Sequence, residues 1–188
     1  MPELSEQPRT LIIPPTVTTA VTGPEAEELG RLAAGKTVLE LGAYHGFSTI
    51  VLASVADKMY SVDWHQGDDH AGVGDSWGVF SATLEQYPSV ASRVVACRGR
   101  FEDEVPKLAA QGVRVDGAFL DGFHDEPSVT RDLALALTLV RPGGFIAWHD
   151  YGRDETNGFP GFAVTRVADR FGVDHAVGFL GISYVPDV

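Results

Sequence analysis

Asp121 and His124 close the stretch AFLDGFHDE (118–126), and His149 and Asp150 close FIAWHD, so carboxylates and imidazoles stand at the ends of two apolar runs. Two carboxylates that converge without compensation repel each other, and one tends to keep its proton unless a cation intervenes. Hard oxygen ligands of this kind favour magnesium or calcium, with manganese an alternative. An imidazole, with an unperturbed pKa of about 6.5, can accept a proton at neutral pH. The group could therefore hold a metal and move a proton. Asp121 as a plain turn-former is the competing reading, because aspartate is common in turns.

A second group begins at ELGAYHGFST (40–49), where Gly42 and Gly46 permit a tight turn and a close backbone approach to a ligand. The helix that follows offers free N–H groups. Glu40 stands just before this loop, and Asp63 ends the next apolar run, KMYSVD, a position whose carboxylate commonly accepts the two ribose hydroxyls of a nucleoside. The loop lacks the middle glycine of G-x-G-x-x-G, and the chain has no G-x-x-x-x-G-K-[ST], so a pyrophosphate or triphosphate is disfavoured. A ribose without a phosphate fits better, and S-adenosylmethionine is such a ligand. Its ammonium suits the Glu40 side, and its carboxylate suits Ser48 and the helix N-terminus.

These residues need elements to position them. TVLEL (37–41), KMYSVD (58–63), SRVVACR (92–98), VDGAFLD (115–121) and GGFIAWHD (143–150) are short, apolar and rich in β-formers. Between them STIVLASVA, WGVFSATLEQY, FEDEVPKLAA and SVTRDLALALTLV suit helices, the last with Val129, Leu133, Leu137 and Val140 on one face. RPGG (141–144) breaks that helix and leads into the next strand. Before the first strand, Thr22 is a plausible N-cap and Pro24 suits the first turn of a helix. After the fifth come a helix, FAVTRVADRF, and DHAVGFLGISYV, which supplies two further strands, the last antiparallel.

The alternation predicts an α/β fold, a doubly wound, Rossmann-like and mostly parallel sheet with helices on both faces. Residues 1–23 read as an N-terminal arm and 24–188 as a single domain. Ligands of such sheets sit beyond the carboxyl ends of the strands, and Glu40, Gly42, Asp63, Arg100, Phe101, Asp121, His149 and Asp150 all fall at that one rim.

The 188 residues are 44% hydrophobic, which suits one globular domain, and carry a net charge of −12, which repels nucleic acid. Cys97 is the single cysteine and suits a reducing cytoplasm. The start, MPELSEQPRT, has acids and a proline where a secretory leader needs a basic flank and an apolar core, and no apolar run reaches membrane-spanning length. The expected partner is a small molecule, and the arm permits a homodimer.

ELGAYHGFST, the aspartate of SVDWH, FLDGFHDE and RPGGFIAWHD together resemble the class I S-adenosylmethionine-dependent methyltransferases over roughly residues 35–152. The likeness is closer to the branch containing the macrolide-sugar and cephamycin-pathway O-methyltransferases of natural-product biosynthesis. By that resemblance Glu40, Gly42, Tyr44, Gly46 and Ser48 line the methionine end of the cofactor. Asp63 takes the ribose with Trp64 beside it, and the adenine lies near Arg100 and Phe101; Phe101 as a core aromatic is equally compatible. Asp121, His149 and Asp150 fall where that branch holds its divalent metal, and His124 falls at its proposed general base. The implied reaction is SN2 methyl transfer from sulfonium to an acceptor oxygen.

His149 departs from the acidic residue expected there. It leaves three outcomes open: a softer metal, a water in its place, or no metal at all. The stretch WHQGDDHAGVGDSW (64–77) is long for a connection and reads as a lid over the acceptor, with His65, Asp68, Asp69 and His70 as a second, irregularly spaced metal cluster the weaker alternative. A catechol-type enzyme, a metal-free N- or C-methyltransferase and a non-catalytic S-adenosylmethionine-binding module remain as other functions. A NAD-dependent oxidoreductase is disfavoured by the loop.

Overall fold

A computed structural model describes residues 9–68 and 72–187. Helix α1 (Gly23–Ala33) begins after Thr22, whose backbone N–H donates to the Glu25 carboxylate. It leads into β1 (Thr37–Leu41), α2 (Phe47–Val55) and β2 (Lys58–Asp63). A two-stranded antiparallel hairpin, β3 (Gly67–Asp68) and β4 (Gly72–Val73), then interrupts the alternation. Next come α3 (Trp77–Gln86), α4 (Pro88–Ala91), β5 (Val94–Arg98), α5 (Phe101–Ala110), β6 (Val115–Leu120), α6 (Glu126–Leu137) and β7 (Val140–Trp148). A 3-10 turn (Glu155–Asn157), α7 (Val164–Phe171), β8 (His175–Val177) and β9 (Leu180–Tyr184) complete the chain.

The main sheet has seven strands in the order β5-β2-β1-β6-β7-β9-β8. The β1, β2, β5, β6 and β7 pairings are parallel, and β9 runs antiparallel to both β7 and β8. The doubly wound architecture and the antiparallel last strand are therefore as expected.

Side chains alternate across this sheet because successive residues of a strand point to opposite faces. Val38, Phe119, Phe145 and Ala147 pack with α1 and α2, whereas Leu39, Leu41, Ala118, Leu120, Ile146 and Trp148 pack with α5, α6 and α7. Each large side chain buried in this way contributes roughly 1.5–3 kcal/mol. Trp148 is fully buried, and its indole N–H is satisfied by Ser183 Oγ at 2.9 Å.

Every residue of α2 is buried, and the arm adds to the cover that α1 and the sheet give it, with Leu11, Ile12 and Val17 packed against the same cluster. Leu11 lies so close over Gly30 that a Cβ there would meet its methyl at 2.5 Å, and the Ile12 N–H donates to Ser54 Oγ. The arm thus drapes over the body of the same chain.

Two boundaries differ from expectation. The third long strand starts at Val94 rather than Ser92, and Arg93 uses its guanidinium to bind the carbonyls of Ala53 and Ser54 instead. Helix α6 ends at Leu137, and β7 already begins at Val140, so RPGG lies inside the strand. Gly143 there has φ +71°, and the β6–β7 register is irregular between Val115 and Gly117. A glycine-borne irregularity, rather than a helix stop, is what RPGG encodes. Among the described residues no helix is long and apolar enough to cross a membrane.

Candidate active site

Register decides which side chains meet. Val62, Leu41, Leu120 and Trp148 are paired across β2, β1, β6 and β7, so Asp63, Gly42, Asp121 and His149 emerge side by side one residue later. The Gly42 N–H donates to Val62 O, Asp121 N–H to Leu41 O and His149 N–H to Leu120 O, which extends the row past the formal strand ends. A cleft of about 610 Å³ opens above this rim.

One half of the cleft is the first loop. Gly42 has φ +96°, and a Cβ there would lie 2.0 Å from the Asp121 carbonyl oxygen, so only glycine lets the two loops touch. Asp63 Oδ2 accepts from the backbone N–H groups of Ala43 and Tyr44, both at 2.8 Å, while Oδ1 accepts from His65 N–H at 2.6 Å. The carboxylate therefore shapes the loop from across the cleft floor, and Oδ1, with a single N–H donor, keeps acceptor capacity for another.

Glu40 lies beneath this loop, fully buried, with Oε2 accepting from Thr49 and Ser61 hydroxyls at 2.6 Å. Burial pushes its pKa up to about 7 against the hydrogen bonds from Ser48, Ser61 and Thr49. Glu40 is not part of the cleft wall, whereas Gly42, Tyr44, Ser48, Asp63, Trp64, Arg100 and Phe101 are. Gly46 precedes α2 with φ +88° and packs near Phe80 instead. The Arg100 guanidinium lies over the Trp64 ring at 4.3 Å.

The other half holds the acids. His149, 3% exposed, places Nδ1 3.0 Å from Asp121 Oδ1 and 3.5 Å from Asp150 Oδ2, with Nε2 4.0 Å from Oε2 of the buried Glu25. Burial opposes a charge on this imidazole, but Asp121 and Asp150 outweigh it and raise its pKa to about 10. Asp150 Oδ2 lies 2.7 Å from His124 Nε2, and Oδ1 lies 2.5 Å from Arg153 Nη1. Burial alone would raise the Asp150 pKa; contacts with His124 and His149 instead hold it well below the ordinary carboxylate range. The His124 ring stacks on Phe162 with centroids 4.1 Å apart.

Among the described residues three that are not glycine, Tyr44, His65 and Asp150, have left-handed φ of 46°, 57° and 60°, and all three lie in the loops of this rim. Such conformations are costly and persist where the surroundings over-determine them.

Ligand atoms of Asp121, His124 and Asp150 come within 4.8 Å of one another. The imidazole in this trio is His124 rather than His149. As arranged, these groups do not fit a hard divalent ion. Asp121 is bonded to His149 Nδ1, and Asp150 is already engaged by a guanidinium.

The 64–77 loop borders the cleft through Trp64, Ser76 and, from β3, Gly67. His65 is not on its surface: Nδ1 lies 2.9 Å from Ser76 Oγ, and the ring packs against Trp77 and Phe80. Asp69, His70 and the side chain of Asp68, the rest of the second cluster considered from sequence, lie outside the described residues.

Several contributors went unflagged in the sequence. Thr18, Thr19 and Val21 of the arm line the cleft, as do His45, Ser128 and Arg131. The turn after Pro14 and Pro15 is the local signal that the arm could fold back over the body. Ser128 and Arg131 sit on the first turns of α6, directly after the FHDE segment.

Residues 39–151 match the family described as a methyltransferase domain. No curated protein matches the sequence. Among solved structures, the O-methyltransferase TomG from Streptomyces achromogenes, involved in tomaymycin synthesis and in complex with SAM, is 22% identical with a TM-score of 0.68, over 89% of this chain and 82% of that one. Cofactor-bound Rv0187 from MTB is 23% identical at TM-score 0.68, over 92% and 85% of the two chains. The O-methyltransferase from Bacillus cereus in complex with SAH is 17% identical at TM-score 0.67, over 93% and 84%. At these identities the likeness is one of fold.

Proposed function

The chain belongs to the methyltransferase domain family, and on that premise we propose that it transfers the methyl group of S-adenosylmethionine to a hydroxyl oxygen of a small molecule. The observation that carries this is that two groups share one cleft: the Asp63-braced glycine loop forms one wall and the Asp121, His124 and Asp150 group the other. S-adenosylmethionine and S-adenosylhomocysteine in TomG and the Bacillus cereus enzyme, both O-methyltransferases, support the choice of cofactor and acceptor atom.

Asp63 accepts a ribose hydroxyl on Oδ1, with the capacity that its loop contacts leave. Tyr44, Ser48 and the start of α2 receive the methionine end, and Trp64, Arg100 and Phe101 border the adenine. The acceptor enters beside Asp121 and His124. Its oxygen forms the new C–O bond as the C–S bond breaks; the electron pair goes to sulfur, and the sulfonium becomes a neutral thioether. The hydroxyl proton passes to the His124 imidazole, which Asp150 orients and whose positive charge Asp150 stabilises. The arm residues Thr18 to Val21 and the β3–β4 hairpin narrow the mouth and limit water.

A second reading keeps a divalent cation, magnesium by preference and manganese otherwise. The convergence of Asp121, His124 and Asp150 within 4.8 Å favours it; it requires Arg153 to release Asp150.

The test is incubation with S-adenosylmethionine and a panel of hydroxylated acceptors, with S-adenosylhomocysteine and product mass as readouts. A product heavier by one methylene on oxygen supports the proposal. Methylation only of nitrogen or carbon acceptors would reject O-methyl transfer.

A further inference from the structure

Asp150 is tightly constrained, and the residue that constrains it, Arg153, lies just past the stretch that matches the family. Its φ of +60° is unusual for any residue other than glycine, and the turn it opens brings Arg153 back so that Nη1 lies 2.5 Å from Oδ1. The Arg153 N–H donates to the Asp150 carbonyl at 3.1 Å, which closes that turn. Three other segments hold it in place. Tyr151 N–H donates to Phe179 O in the β8–β9 turn, Gly152 N–H donates to Thr165 Oγ1 on α7, and the Asn157 amide donates to Gly152 O.

The guanidinium meets two aromatic rings as well as its carboxylate. Its carbon lies 4.8 Å from the Phe159 ring centre and 4.5 Å from that of Phe179, and the side chain is only 17% exposed. Cation–π contact with two rings and a buried carboxylate makes the position one built for a permanent positive charge. A divalent ion bound to Asp150 would lie beside this guanidinium, and repulsion between the two would be poorly screened away from water.

We propose that Arg153 is the resident counter-cation of this site, in place of a metal ion, so that the enzyme binds no divalent cation at Asp150 and works without one. Arg153 is thereby a positioning residue: it fixes the carboxylate that faces His124. The inference rests on the methyltransferase reading for its catalytic consequence, but not for its binding consequence.

The experiment compares the purified chain with Arg153→Met and Arg153→Lys after chelator treatment. Metal content, and melting temperature with manganese, magnesium or chelator, are measured on each. Where an acceptor has been found, turnover with and without chelator is added. The wild type should carry well under one equivalent of metal, melt at the same temperature in all three media and turn over equally with chelator. Arg153→Met, with the carboxylate uncovered, should gain a manganese-dependent rise in melting temperature; Arg153→Lys, which keeps the charge, should stay as indifferent to metal as the wild type. One equivalent of tightly held metal in the wild type, chelator-sensitive turnover restored by magnesium or manganese, or no metal response in Arg153→Met would each overturn the proposal. The wild-type measurements decide it even if Arg153→Met fails to fold. S-adenosylhomocysteine binding on the same samples tests the methyltransferase reading separately: a metal-indifferent protein with no affinity for that nucleoside would reject the latter alone.

Discussion

Gly42→Ala should damage both stability and cofactor binding, because this glycine is where the two halves of the cleft touch. The added Cβ would stand 2.0 Å from the Asp121 carbonyl oxygen, and ordinary contact begins near 3.4 Å, so two backbone segments must separate by roughly 1.4 Å. Neither is a flexible side chain that can swing away. The positive φ adds about 1–2 kcal/mol for a residue with a Cβ, and overpacking adds about 1–3 kcal/mol. The total, about 2–5 kcal/mol, corresponds to a fall in melting temperature on the order of 10 °C for a domain of this size. Gly35→Ala is the control: its φ is +66°, but nothing lies within 4 Å of its Cβ, so it carries the conformational cost alone. Thermal unfolding followed by circular dichroism and calorimetric titration with S-adenosylhomocysteine read the two effects. Gly42→Ala should melt well below Gly35→Ala and bind the nucleoside at least tenfold more weakly, since the displaced loop carries the Ala43 and Tyr44 N–H groups that Asp63 braces. Equal melting of the two variants with unaltered binding would refute the packing on which the site's geometry rests.

Glu40, raised by burial from 4.5 to about 7, contributes stability that is complete below about pH 4.5 and is lost as pH climbs through 7. The difference is on the order of 3 kcal/mol. Glu40→Gln should therefore flatten the decline in melting temperature across that interval; an unchanged slope would reject the assignment. Asp63→Ala removes the acceptor for three backbone N–H groups and should weaken S-adenosylhomocysteine binding by a hundredfold or so, each charge-assisted bond being worth roughly 1.5–3 kcal/mol; wild-type affinity in that variant would remove Asp63 from the cofactor site. His124→Ala should lower kcat by about a hundredfold or more with little change in nucleoside affinity, and full turnover in the variant would reassign the base.

Much of this arrangement was legible because β-strands advertise themselves by composition and the sheet type follows from alternation. The rim could be located before any coordinates, since polar residues at the ends of TVLEL, KMYSVD, VDGAFLD and GGFIAWHD must emerge on one edge. Which partners they take there is a matter of register and tertiary packing. His149 pairs with Asp121 because Leu120 pairs with Trp148, a relation between strands that spacing along the chain does not express. Arg153 was invisible for the same reason: in sequence it is one arginine in a polar turn, and its role exists only once Phe159 and Phe179 close on it from separate segments. The buried Glu25, bonded to Phe179 N–H at 2.7 Å, reads in sequence as an ordinary acid in the first turn of a helix. The arm's packing over α1, too, depends on a small residue, Gly30, whose significance appears only with Leu11 on top of it.

The most direct check on the whole account is equilibrium binding of S-adenosylhomocysteine, measured against NAD by thermal shift on the unmodified chain. A nucleoside seated in the 610 Å³ cleft and supplied at a hundred times its Kd should stabilise the fold by about 2.7 kcal/mol, a rise of roughly 5–10 °C, while NAD leaves the transition where it was. A transition moved by NAD and indifferent to S-adenosylhomocysteine would contradict it.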